Sequence, residues 1–204
     1  MGRLAQAIQR RALPLDRGLD ERMSGPDHVL SDGMAFLDAH DKEEDRLRAI
    51  AVIRTDRDWI NRSIAAAILT NFPEEDSTWW ALTDVVRGVG PLDFGRTEGI
   101  LALHAMGRIA ARPVDWAPAA ETLRAILEGT NLFAVDPLML VLAQTEISPE
   151  LARVVIGDGR FVLAYLNSPH PLMRTHALLF LRQISGQDFG PDVERWREWV
   201  ESLS

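Results

Sequence analysis

Cysteine is absent from the 204 residues. That excludes disulfides, thiolate catalysis, zinc–thiolate sites and iron–sulfur clusters at once, and it fits a cytoplasmic location. Lysine is almost missing too, with Lys42 the only one, so the cationic side chains are arginines. Positive charge is also in short supply. Thirty acidic residues against 22 basic ones leave a net charge of −8. Such a chain is repelled by a phosphate backbone, which disfavours general nucleic-acid binding. No apolar run approaches the ~18 residues that a membrane span needs. Residues 1–15 carry Arg3, Arg10 and Arg11 and lack the apolar centre of a secretory signal. The expectation is a chain without a leader or a membrane span.

Signatures of catalysis are equally scarce. The sequence has no G-x-S-x-G elbow, no G-x-G-x-x-G turn and no Walker loop. Asp-Phe-Gly occurs at 93–95 and at 188–190, but no Gly-rich loop, strand lysine or His-Arg-Asp loop accompanies either copy. Each reads as a turn: Asp opens it, Phe packs beneath, and Gly relaxes the backbone. His28, His40, His104, His170 and His176 include no pair at the i, i+4 spacing of a helical metal site. The acidic run around His40 lacks the glycine and terminal glutamate of an EF-hand loop and reads as solvated helix-start carboxylates. No metal and no cofactor is expected.

What the chain has is a 3.6-residue hydrophobic rhythm almost throughout, with almost no strand pattern. Trp59, Ile60, Ile64, Ala65, Ile68, Leu69 and Phe72 form one helical stripe, with Asp58 placed to cap its start and Pro73 to stop it. The same reading predicts helices near 43–53, 75–88, 94–111, 116–128, 132–145, 149–166, 170–185 and 192–203. Gly157-Asp158-Gly159 predicts a kink or break inside 149–166. The connections are short and carry Pro or Gly, which implies antiparallel neighbours. Trp79 and Trp80 are adjacent and point about 100° apart on one helix, so Trp80 or Trp79 is expected to reach the surface. Trp196 and Trp199 are placed to cover the open end of the last helix pair.

The helices also repeat. Arg62-Ser63-Ile64-Ala65-Ala66-Ala67-Ile68-Leu69 aligns with Arg96-Thr97-Glu98-Gly99-Ile100-Leu101-Ala102-Leu103 and with Arg174-Thr175-His176-Ala177-Leu178-Leu179-Phe180-Leu181. The arginines are 34 and then 78 residues apart, and the larger gap is two steps of 39. One step beyond Arg96 lies Val135, with Leu138 and Leu142 in the matching apolar slots. A helix pair repeated at this period cannot bury its apolar face alone, so copies must stack.

The segment from Ser168 through Pro169, His170, Pro171 and Arg174 to Leu181 resembles the second helix of a HEAT repeat, including the phycobilin-lyase-like subset. Asp58–Leu69 and Asp93–Leu103 are similar to it. The tail Ile184–Gly190, followed by Trp196 and Trp199, resembles the ending of bacterial HEAT-like chains, with Pro191 where a tyrosine often stands. The resemblance covers about residues 43–203. It implies an all-α fold: a right-handed α-solenoid of antiparallel helix pairs, about four repeats, with an N-terminal segment and a C-terminal capping helix. Residues 1–26 are expected to form a partly mobile segment and 27–204 a single HEAT-like domain.

The function implied is that of a non-catalytic protein-binding scaffold using its concave face. The alternatives are an immunity- or antitoxin-type inhibitor of a toxin, or a HEAT-like enzyme of the bilin-lyase or DNA-glycosylase type. Charge sharpens the first reading. The predicted first helices are acidic, whereas the second helices carry Arg62, Arg96, Arg108, Arg112, Arg174 and Arg182 against Asp58, Glu98 and Asp136. In HEAT-like arrays the second helices line the concave face. Arg62, Arg96, His104, Arg108, Arg174 and Arg182, with Trp80, are therefore the candidate partner-binding residues. The expected partner is a protein or peptide, and an acidic one would suit these arginines. Against this stands a purely structural reading, in which the arginines pair with turn aspartates, as Asp58 and Arg62 could at i, i+4.

Overall fold

A computed structural model describes residues 35–87, 112–128 and 132–203. Those residues are helices and connections, with no strand among them. The chain divides into two compact units. Of the described residues, 35–85 belong to the first and 86–87, 112–128 and 132–203 to the second. The segment 1–26 and the predicted helix at 94–111 lie outside the described residues.

In the first unit a helical turn at 35–38 precedes α1 (Glu43–Thr55), α2 (Trp59–Leu69) and α3 (Asp76–Arg87), the last two residues of α3 being counted with the second unit. α1 packs along α2. The core side of α1 is the row Arg46, Ala49, Ile50, Ile53, a helical stripe whose first member is a buried cation. Its guanidinium is satisfied in place: Nε and Nη2 donate to both Glu43 carboxylate oxygens at 2.7 and 2.5 Å, and Nη1 donates to Ser77 Oγ at 2.5 Å. This pairing makes the burial tolerable, because an unpaired cation there would cost several kcal/mol. It also holds the Glu43 carboxyl below its usual range. α2 starts as the sequence predicts, with Asp58 accepting the Ile60 backbone N–H at 2.9 Å. Ala65, Ala66 and Ala67 are all buried, since small side chains let neighbouring backbone approach from more than one direction. On α3, Trp79 is fully buried, with its indole N–H donating to the Pro73 carbonyl at 2.8 Å. Trp80, one position on, is half-buried.

The second unit comprises a 3₁₀ turn (Ala117–Ala119), α4 (Ala120–Leu127), α5 (Leu132–Gln144), α6 (Pro149–Val155), α7 (Arg160–Leu166), α8 (Pro171–Ser185) and α9 (Val193–Glu201). α5 packs along α8, α4 against α6, and α7 against α5, α8 and α9. Leu123, Leu138, Leu142, Val162, Phe180, Leu181 and Ile184 are buried in its core. Trp116 is buried beside the end of α5, where its indole N–H donates to Thr145 Oγ1 at 2.8 Å and that hydroxyl donates to the Val141 carbonyl at 2.7 Å. α5 is followed by Glu146 at φ 52°, and the Ile147 N–H returns to the Leu142 carbonyl at 3.2 Å, closing the helix with a left-handed residue.

The predicted helix over 149–166 is two helices, broken at Gly157-Asp158-Gly159, where both glycines have positive φ. A Cβ at Gly159 would lie 2.6 Å from Val200 Cγ1, so the backbone of the break runs directly beneath α9. That last helix is capped by Asp192, which accepts the Arg195 N–H at 3.1 Å, and it buries Trp196 and Val200. Trp196 donates its indole N–H to the Gly190 carbonyl at 2.9 Å, with Phe189 and Trp199 rings at 4.7 and 6.1 Å. The tryptophan pair singled out in the sequence thus splits into a buried anchor, Trp196, and a half-buried neighbour, Trp199.

Candidate partner-binding face

The candidate residues that can be described fall in both units and must be taken separately. Arg62 of the first unit is half-buried. Its Nη2 donates to the main-chain carbonyl of Asp84 on α3 at 3.1 Å, tying α2 to α3. Asp58 accepts a backbone N–H of its own helix at 2.9 Å, and the arginine reaches across to a neighbouring helix. Trp80 of α3 is half-buried, and its carbonyl accepts the Thr83 hydroxyl at 2.7 Å. Arg96, His104 and Arg108 lie outside the described residues.

In the second unit, Arg174 and Arg182 stand two turns apart on α8. Arg174 Nη1 donates to the Ser168 carbonyl at 2.5 Å, bracing the turn that leads into the helix. That acceptor is a neutral main-chain carbonyl. Arg182 is more exposed and donates through Nε to Asp188 Oδ1 at 2.9 Å. The Asp188 carboxyl is held below its usual range, first by the Gly190 backbone N–H and then by Arg182.

Sequence reasoning missed a polar bridge between the two helices of this face. His176 Nδ1 lies 2.9 Å from Asp136 Oδ1, with the two side chains 18% and 20% exposed. The ring nitrogen donates to the carboxylate and joins α8 to α5. Tyr165 of α7 is buried nearby; its phenol is pushed above its ordinary range by burial and, secondarily, by the Asp136 charge. A signal existed. Asp136 is the only charged residue of α5, and His176 is 40 residues away, close to the 39-residue step. The pair fixes an imidazole orientation. The described residues contain no cluster of three or more His, Asp or Glu able to hold a metal.

Beside this pair, α8 turns apolar residues outward. Leu172 is 71% exposed and Leu179 is 42% exposed. Seven residues apart, they share one face of the helix, and His176 falls between them. Leu140 and Gln144 of α5 are half-buried. The face therefore combines two exposed leucines with the His176–Asp136 bridge and the Arg182–Asp188 pair.

No family model, curated protein or solved structure matches the chain. No helix among the described residues is long and apolar enough to cross a membrane.

Proposed function

We propose that this chain is a non-catalytic protein-binding scaffold built as a short right-handed array of HEAT-like helix pairs, and that its second helices present the binding face. The observation that carries the reading is the packing order of the second unit. The second helices α5 and α8 lie along one another, and the first-helix elements α4 and α6 lie along one another. The Asp136–His176 bridge, spanning 40 residues, joins points almost one sequence step apart on consecutive second helices. A stack of repeats produces this pattern, because each element meets its counterpart in the next copy.

The binding face on this reading is that of α5 and α8, with Leu172 and Leu179 as apolar contacts and Arg182, three residues after Leu179, beside them. Exposed leucines next to half-exposed polar pairs suit a protein surface better than a small ligand, which would want a deep concave site. An acidic partner segment would compete with Asp188 for the exposed Arg182 guanidinium.

The test is affinity capture from the native cell with the full chain as bait, read by quantitative mass spectrometry. Leu179→Asp and Arg182→Glu are compared with the parent, each checked for unchanged helical content. A partner retained by the parent and depleted at least tenfold by both variants supports the proposal. Equal recovery by all three baits overturns it.

A further inference from the structure

We draw no further inference here: the strongest candidate, the outward Leu172–Leu179 face of α8 with the His176–Asp136 bridge beside it, belongs to the site already described, and nothing in the structure shows what covers it.

Discussion

Replacing Gly159 by alanine tests how the C-terminal helix is seated. Two costs combine at this position. The backbone has φ +62°, and a residue with a Cβ in that region is strained by about 1–2 kcal/mol. The new Cβ would also lie 2.6 Å from Val200 Cγ1 and 3.2 Å from Cγ2. Val200 is a short, stiff, buried side chain and cannot swing away, so overpacking adds about 1–3 kcal/mol. The sum, about 2–5 kcal/mol, is a large fraction of the ~5–15 kcal/mol that holds an ordinary domain folded. Gly186 supplies the control. It has φ +67° with nothing within 4 Å of an added Cβ, so Gly186→Ala should cost the backbone part alone. Urea unfolding followed by tryptophan fluorescence gives both values from the shift in midpoint at constant slope. Val200→Ala in the Gly159→Ala background should then recover most of the overpacking part as a coupling energy. If Gly159→Ala costs no more than Gly186→Ala, or Val200→Ala recovers nothing, α9 does not rest on the break between α6 and α7.

Two further outcomes follow from single groups. Thr78 is fully buried, and its hydroxyl bonds nothing among the described residues. Thr78→Val should raise stability by roughly 1 kcal/mol, since a buried hydroxyl without a partner carries a desolvation cost of that order; a melting temperature lowered by several degrees would refute this. Glu43, Asp56 and Asp188 are all held below their ordinary range, chiefly by Arg46, by the Asp58 backbone N–H and by the Gly190 backbone N–H respectively. A carboxylate whose folded-state pKa is depressed contributes stability that is present above its unfolded value, about 4, and lost as pH falls through the folded value. Denaturant midpoints should therefore fall on acidification below about pH 4, and the combined variant Glu43→Gln, Asp56→Asn, Asp188→Asn should flatten that decline. An acid limb as steep as that of the parent would show that these contacts do not form.

The helices were legible in the sequence because their signals are local. Asp58 caps α2 through a carboxylate that bonds a backbone N–H two residues on. Pro149 and Pro171 open α6 and α8, where a missing N–H costs nothing. The glycine pair at 157 and 159 breaks a helix that periodicity alone would have run straight through. Side-chain partners were less legible, because they depend on which helices become neighbours. Arg46 occupies a core stripe position, and only its place beside Glu43 and Ser77 makes that tolerable. Asp58 caps its own helix, and Arg62 donates to the Asp84 carbonyl 22 residues away. The His176–Asp136 bridge forms only once α5 lies along α8. Pro137, inside α5, would on local grounds have argued for ending that helix, yet the helix runs to Gln144 with Leu138, Met139, Val141 and Leu142 buried. Tertiary packing outweighs the lost hydrogen bond there.

Site-specific photo-crosslinking in the native cell tests most directly whether the α5–α8 face carries the partner. A photoreactive residue replaces Leu179 on α8 in one full-length variant and Val154 on α6 in another. Val154 is the fair control, being 57% exposed against 42% for Leu179 but on α6, outside the proposed face. The expected result is a discrete protein adduct from position 179 that is absent from position 154, and that weakens when Arg182→Glu is added. No adduct at 179, or equal adducts at both positions, would contradict it.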